Sequence, residues 1–544
     1  MQRFDPPAAG RQSPNAAFGP GEDRNSSPPC DGETLALEEG GPSDGSRLIA
    51  CLQAWWERPP AAARGRFHYV LRCALQPGQL PDRSQLGRLL DALPQPLAPA
   101  LARALLHGWP PRLRGLHRIE LVPGLAWVSV EIGRSPPRGR PKVDSHPPRG
   151  DRAQREGAAL AHAIVVGAGL AGCALADAFT RRGWRVTVIE RSDRVGGVLA
   201  GIPLLAQHPA LSPGEDRRSR LLVAALLASD RLQDRLGDVF TWCGRFQPMP
   251  IAEARQRTAA IPSTIAQPVE SSTLATHGVA GLQGIWYPRC AMGDPQRWWR
   301  RLLQAPLLDL RLSQPVAAIS RRLGQWAASD NEGTLIAAAP VMILANQADA
   351  FRLAQMPVAA SGRLRLGQLQ VAIGTAASPI AGSRDGRLQP ILGGSNYRIE
   401  EPGIRCITGP VRQDDGALAV GMRSPGTASD AAGYRWRVSA PAERLLLRDN
   451  LPMIGNAPDT TAIKISRQRF ERNDRLPLPR RQGLHLLTGL GGRGLLWSVL
   501  GAEIIAAQVN GEPALVEPDL QEAVDPGRFL RRMLRRATHP GTTA

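Results

Sequence analysis

Apolar periodicity begins at residue 47 and changes character three times along the chain. The stretch RLIACLQAWWERP (47–59) repeats its apolar residues at helical spacing and predicts an amphipathic helix. RFHYVLRCAL (66–75) alternates as a strand does, DRSQLGRLLDALPQPLAPALARALLHGW (82–109) predicts two helices broken at its prolines, and GLHRIELVPGLAWVSVEIG (115–133) predicts a hairpin. Residues 134–159 then lose all apolar period in RSPPRGRPKVDSHPPRGDRAQREG and its surroundings, which predicts a linker. Periodicity returns in AIVVGAGLAGCALADAFTRRGWRVTVIE (163–190), a strand, a glycine turn, a helix and a second strand. The Pro/Gly/Ser/Asp-rich residues 1–46 are expected to be disordered.

Composition narrows the class. A 544-residue chain that is 43% hydrophobic and 21% charged can bury a large core, and its length suggests two to four domains. The cysteines, at 30, 51, 73, 173, 243, 290 and 406, form no CxxC pair, so neither a disulfide framework nor a metal site is expected. No segment reads as a signal peptide or a membrane span, and a cytoplasmic location fits. The formal charge of +19 is almost all arginine, with lysine only at 142 and 464. General arginine enrichment and a nucleic-acid footprint account for it equally well.

The glycine turn carries the first specific chemistry. Gly167 permits a tight turn, Gly169 lets the backbone approach a pyrophosphate, and Gly172 lets helix and strand pack closely. The helix N-terminus offers N–H groups and a positive dipole end to phosphates. Glu190, closing the second strand, can accept ribose hydroxyls. The continuation ERSDRVGG (190–197) resembles the extension of FAD-dependent oxidoreductases, which favours FAD over NAD. A second glycine loop, LLTGLGGRGLLWSVLGAEIIAAQVNGEP (486–513), allows another backbone approach at the far end of such a cofactor.

RLLLRDNLPMIGNAPD (444–459) places Arg444, Asp449, Pro452 and Gly455 in the R-x4-D-x2-P-x2-G pattern of the D-amino-acid-oxidase class of flavoproteins. Within that class the chain resembles the bifunctional MnmC-like family of tRNA wobble-uridine modification enzymes. The segments that carry the resemblance are the 486–513 loop and helix, GIWYPRCAMGDPQRWWRRLL (284–303), GRLRLGQLQVAI (362–373) and PILGGSNYRI (390–399). The resemblance covers about 160–535. It implies an α/β fold: a Rossmann-type FAD-binding domain (160–515) with an interleaved mixed-sheet substrate domain, then a C-terminal tail (516–544). It also implies cofactor contacts at Gly167, Ala168, Gly169, Gly172, Glu190, Arg191, Gly197, Val316, Gly489, Gly491, Gly492, Arg493 and Gly494. Arg444 and Arg493 are the candidates for binding a substrate carboxylate, because an arginine fork fits a carboxylate bidentately; both could equally be structural, pairing with Asp449 or loop carbonyls.

In that family a hydride leaves the carboxymethyl carbon of carboxymethylaminomethyl-uridine for the flavin, and the imine hydrolyses to glyoxylate and an aminomethyl group. The partner implied is tRNA. A methyltransferase domain precedes the flavin domain in the family, and LALEEGGPSDGSRLIACLQAWW (35–56) looks like its strand, glycine loop and helix. Here Pro42 and Asp44 interrupt that loop and the linker stands where the catalytic segment should follow. The front portion, 47–133, therefore resembles a small degenerate α/β remnant, which leaves methylation to a separate enzyme. The flavin half departs as well: Cys290, Ala291 and Met292 replace a Gly-Gly-Trp, Leu496, Trp497 and Val499 replace small or polar residues, and Gln347 stands where glycine is common. Trp298 and Trp299 could stack on a base, although helical spacing favours a core position for one of them. Two other readings stay open: a small-molecule amine or amino-acid oxidase of the same fold, and a non-catalytic FAD-binding protein.

Overall fold

The computed structural model describes residues 34–40, 46–57, 66–73, 87–88, 90–94, 97–106, 115–122, 124–132, 161–214, 216–237, 239–270, 283–357, 365–375, 391–392, 397–401, 404–410, 412–414, 417–419, 435–438, 442–473 and 476–538. The expected linker at 134–159 lies outside them, as do Pro42 and Asp44. The chain divides into two compact units, Met1–Pro110 with Arg118–Ser135, and Pro111–His117 with Pro136–Ala544.

The front unit is built on a four-stranded sheet of β1 (Thr34–Gly40), β2 (Arg66–Cys73), β3 (Gly115–Val122) and β4 (Ala126–Ile132), in the order β1-β2-β4-β3. β2 pairs in parallel with both β1 and β4. Parallel pairing requires crossovers, and the helices α1 (Ser46–Trp56) and α2 (Leu97–Leu106) lie in the connections. Leu48, Leu52 and Trp55 of α1 and Leu97 and Leu101 of α2 bury their apolar stripes with Phe67, Tyr69, Val128 and Val130 of the sheet. The expected hairpin is present, closed by Leu125 N–H on the Val122 carbonyl at 3.0 Å. Ahead of α2, Gly87 and Arg88 are helical and Leu90–Ala92 form a 3₁₀ turn; the rest of the stretch where the first of the two helices was expected lies outside the described residues. β1 falls within the segment 1–46 expected to be disordered. Averaged with its Pro/Gly-rich surroundings, TLALEEG looks weak, but register pairing with Arg66–Arg72 supplies its backbone hydrogen bonds.

The second unit is organised by a six-stranded sheet of β5 (His162–Val166), β6 (Arg185–Ile189), β7 (Leu308–Arg311), β8 (Val341–Leu344), β9 (Met453–Pro458) and β10 (Arg480–Thr488). Their order is β7-β6-β5-β8-β10-β9, parallel except for the antiparallel β9–β10 pair. A parallel sheet covered on both faces needs strands that are apolar throughout, and HAIVV and VMIL satisfy this. Ala163, Val165, Val341 and Ile343 face a core completed by helices α3 (Leu170–Thr180), α4 (Arg217–Leu236) and α5 (Gly494–Asn510). Ile164, Val166, Met342 and Leu344 face the opposite core, with Trp326 and Ala328 of a three-stranded antiparallel meander (Ala318–Ala339).

A larger mixed sheet adds the strands Gln267–Val269, Gly284–Tyr287, Arg245–Pro248, Ile391–Leu392, Tyr397–Glu401, Ile404–Pro410, Arg365–Thr375 and Arg435–Val438, in that order, with Ala442–Leu446 also paired to Arg365–Thr375. Its strands come from between β6 and β9, so the two sheets are interleaved in the chain. The expected tail, 516–544, is instead folded onto this unit through 538. Helices α6 (Pro518–Val524) and α7 (Arg528–Thr538) bury Leu520, Val524, Phe529 and Leu530, residues at helical spacing in a segment whose arginines mask its apolar stripe. Among the described residues no helix is long and apolar enough to cross a membrane.

Candidate functional site

The glycine turn between β5 and α3 does three separate jobs. Gly167 adopts φ +104°, and a Cβ there would sit 3.0 Å from the Ala345 carbonyl oxygen. A Cβ at Gly172 would lie 2.9 Å from the carbonyl carbon of Gly167 and closer still to its oxygen, so the helix closes on the strand only without a side chain. Gly169, by contrast, has φ −80° and meets nothing within 4 Å. Protein packing does not require glycine there. α3 begins at that residue with no side-chain cap, so its first N–H groups suit an anion.

Glu190, at the end of β6, is buried and reaches back to the turn. Its Oε2 accepts from Ala168 N–H at 2.7 Å and its Oε1 from Ser192 N–H at 3.0 Å. Gly196 N–H donates to the Ala168 carbonyl at 2.9 Å, and Gln314 N–H to the Glu190 carbonyl at 2.9 Å, so the 190–197 extension and the segment leading to buried Val316 both border the turn. Arg191 is exposed. The second glycine loop comes to the same place: a Cβ at Gly494 would be 3.1 Å from Leu170 Cδ1, at the start of α3. Gly489 (φ +72°) packs under Leu447, and Gly492 faces Arg444 Nη1, 3.3 Å from where its Cβ would be. Two glycine loops, a buried acid and two uncapped helix starts thus converge at one edge of the parallel sheet. That arrangement fits a dinucleotide carrying a pyrophosphate and a ribose.

The family model for FAD-dependent oxidoreductases, DAO, matches residues 162–508. The chain belongs to this family, in its MnmC-like branch. It is 34% identical over 442 residues to the tRNA 5-methylaminomethyl-2-thiouridine biosynthesis bifunctional protein MnmC of Paraburkholderia phytofirmans, covering 76% of this chain and 66% of that protein. The MnmC protein of Cupriavidus necator is 30% identical over 562 residues, covering 90% of this chain and 82% of the relative. The chain therefore spans just under two thirds of the Paraburkholderia relative's length. Among solved structures, glycine oxidase from Geobacillus kaustophilus shares the fold, with a TM-score of 0.51 and 17% identity over 67% of this chain and 98% of that one. The fold is the Rossmann-type, D-amino-acid-oxidase-like one expected, and FAD is the cofactor of the family.

The two candidate arginines occupy different surroundings. Asp449 does not pair with either of them: it accepts from Arg528 Nε at 2.9 Å and Nη2 at 3.0 Å, and from Arg532 at 3.3 Å. Arg493 Nε is buried with no hydrogen-bond partner among the described residues. Burial, then the charges of Arg218 and Arg245, bring its pKa down to about 10, with only Tyr287 acting the other way. Arg245 is itself fully buried, donating to the Pro209 carbonyl at 2.6 Å and Gln247 Oε1 at 3.0 Å, meeting His208 Nε2 at 3.2 Å and lying over the Tyr287 ring at 5.1 Å. Arg218, whose Nε is also buried without a partner among the described residues, Arg245 and Tyr287 are the functional candidates that sequence reasoning missed. No spacing signalled them, because a helix start and two paired strands far apart in sequence bring them together.

Family-atypical residues are absorbed by packing. Cys290, Ala291 and Met292 are fully buried, and burial pushes the Cys290 thiol well above its usual range. Leu496, Trp497 and Val499 are core residues of α5. Gln347 takes φ +57°, the conformation glycine would adopt freely, with its carbonyl accepting from Thr488 Oγ1 at 2.7 Å. Trp298 and Trp299 are both buried, the latter so close to Gly196 that a Cβ there would be within 2.8 Å of the ring. Neither tryptophan is placed to stack on a base. Among the described residues no cluster of His, Cys, Asp or Glu could hold a metal.

Proposed function

We propose that this chain oxidises the carboxymethylaminomethyl group of a wobble (2-thio)uridine in tRNA, releasing glyoxylate and leaving the aminomethyl group. The observation that carries this reading is the match to the Cupriavidus MnmC protein over 90% of the chain, with both glycine loops inside the residues 162–508 matched by the family model. FAD, when bound, supplies the two-electron acceptor for the C–H bond beside the amine. The chain's own residues supply the rest. The N–H groups after Gly169 hold the pyrophosphate, and Glu190 holds the ribose. Arg444 and Arg493 hold the substrate carboxylate. Arg218 and Arg245 keep the surroundings of Arg493 cationic, which disfavours protonation of the substrate amine and so favours the neutral form that can be oxidised.

The front unit, in this reading, transfers no methyl group. Pro42 removes an N–H from the loop that should approach the methyl donor, and Asp44 puts a negative charge beside a carboxylate-bearing cofactor. A separate methyltransferase completes the modification. The decisive experiment is mass spectrometry of wobble uridines in tRNA from a strain lacking the gene. Accumulation of the carboxymethylaminomethyl form, reversed by the restored gene, is expected; an unchanged nucleoside profile would overturn the assignment. Calorimetry with S-adenosylmethionine tests the front unit, where micromolar binding with methyl transfer would refute its inactivity.

A further inference from the structure

The last helix of the chain and a short helix before β10 share one small apolar cluster. Ile463, Phe470, Leu478 and Leu530 are buried in it, with Leu476 and Leu534 packed alongside. This uses the apolar stripes of α7 and of the helix Arg467–Arg472 and leaves their other faces outward. Those faces are basic to an unusual degree. Residues 460–472 and 528–538 together contain nine Lys or Arg and one acid, Glu471, with Asp459 and Asp474 flanking the first segment; Arg528 among them is buried. Lys464, Arg467, Arg469, Arg472, Arg532 and Arg535 are exposed. Arg528 and Arg532 meet Asp449, which ties α7 to the β9 approach and fixes the orientation of the patch.

We infer that the exposed face of α7 and the helix Arg467–Arg472 is a docking surface for the phosphate backbone of the tRNA, distinct from the pocket that holds the reacting uridine. The inference rests on the tRNA reading above and adds where the tRNA body is held. Charge complementarity selects the occupant. Guanidinium forks on a rigid pair of helices match regularly spaced phosphates, and such contacts position a nucleic acid without reading its sequence. An anionic membrane is the weaker match, because Phe529 and Leu530 of α7 are buried and Leu534 packs against the cluster, leaving only Met533 and, before the helix Arg467–Arg472, Ile465 as exposed apolar side chains among the cations.

The test uses the full-length FAD-loaded protein and a fluorescently labelled tRNA. The triple variant Arg469→Gln/Arg472→Gln/Arg535→Gln is compared with a control of equal charge loss, Arg300→Gln/Arg321→Gln/Arg322→Gln, which removes exposed arginines elsewhere. At about 0.1 M salt the patch variant should bind roughly tenfold or more weakly, and its log affinity against log salt should flatten by about two to three units, near one per lost phosphate contact. The control should change by less than about threefold. Crosslinking of tRNA to the wild-type protein, which needs no variant, should place crosslinks on 464–472 and 528–538. Equal losses in the two variants, or crosslinks only elsewhere, overturn the patch and leave the proposed reaction standing. If the wild-type protein binds no tRNA even at low salt, the proposed substrate falls with it. Binding to phosphatidylserine vesicles without tRNA binding would replace the inference by a membrane surface.

Discussion

Gly169 and Gly172 belong to the same six-residue fingerprint, yet the structure predicts opposite consequences for the same substitution. In Gly172→Ala the new methyl overlaps the Gly167 backbone, a carbonyl that cannot swing aside as a side-chain tip would. Overpacking of this kind destabilises by about 1–3 kcal/mol or more, and the apo protein should lose stability before any ligand is considered. In Gly169→Ala the methyl meets nothing within 4 Å and φ −80° suits any residue. Reduced freedom of the unfolded chain stabilises the variant by about 0.4–1 kcal/mol. Alanine in place of glycine at an N-cap takes back a similar amount, roughly 0.5–1 kcal/mol, so the apo stability should stay within about half a kcal/mol of wild type. The flavin response then separates the two roles. Wild-type protein at a hundredfold excess of FAD over its dissociation constant should gain about 2.7 kcal/mol. Gly169→Ala should gain almost none, because its methyl occupies the path of the pyrophosphate. Denaturant unfolding of apo and FAD-supplemented protein measures both quantities. A Gly169→Ala protein that is stabilised by FAD as wild type is would refute the assignment of this turn, and a stable Gly172→Ala protein would refute the packing argument.

Other outcomes follow from the buried charges. Burial alone would raise the pKa of Asp449, but its hydrogen bonds to Arg528 and the charge of that residue outweigh burial and hold it below the usual carboxylate range. The stabilisation is complete above the unfolded pKa near 3.8 and is lost as pH falls through the lower folded value. Asp449→Asn should therefore release α7, seen as faster proteolysis after residue 525 at neutral pH; unchanged protection would contradict the anchoring role. For Arg493 the sign is reversed. Its pKa of about 10 lies below the ordinary guanidinium range, so the folded state carries the full penalty of the buried cation at neutral pH and sheds it only as pH rises through that folded value. Arg493→Met should raise the apo melting temperature at pH 8 while weakening binding of a carboxylate probe followed by the flavin spectrum. A variant that loses stability and keeps probe affinity would make Arg493 structural.

Local signals in the sequence were sufficient where one segment carries the whole element. The 163–190 unit is legible because its apolar strand, glycine turn and second strand are contiguous, and β5 and β6 lie within a residue or two of the reading. The strand at 34–40, legible through the family resemblance but not from composition, and the helices beyond 516 were harder to see. Each is short and diluted, by Pro and Gly in one case and by arginine in the other, and each is supported by partners distant in sequence. The arginine site divides the same way. Arg444 and Arg493 sit in recognisable motifs, whereas Arg218 and Arg245 reach Arg493 only through the packing of α4 and the mixed sheet against α5. The alternative that Arg444 or Arg493 pairs with Asp449 could be posed from sequence but not decided, since the true partner, Arg528, lies 79 residues downstream.

The distribution of arginine also bears on what the +19 charge does. Much of it is matched inside the fold. Arg182 lies against Glu503 and Glu512, Arg220 against Glu517 and Asp519, Arg289 against Asp230, and Arg480 against Asp525. Pairs like these hold α3, α4, α5 and α6 together. Two groups of cations lie apart from these pairs in the second unit: Arg493 with Arg218 and Arg245, whose charges lower the Arg493 pKa, and the segments 460–472 and 528–538, where Lys464, Arg467, Arg469, Arg472, Arg532 and Arg535 are exposed. Holding like charges together costs free energy in the isolated protein. The two groups differ in depth, one buried beside the glycine loops and one largely exposed on the helices of 460–472 and on α7. A small carboxylate fits the first and a polyphosphate the second, and a carboxymethylated uridine within a tRNA presents both on one molecule.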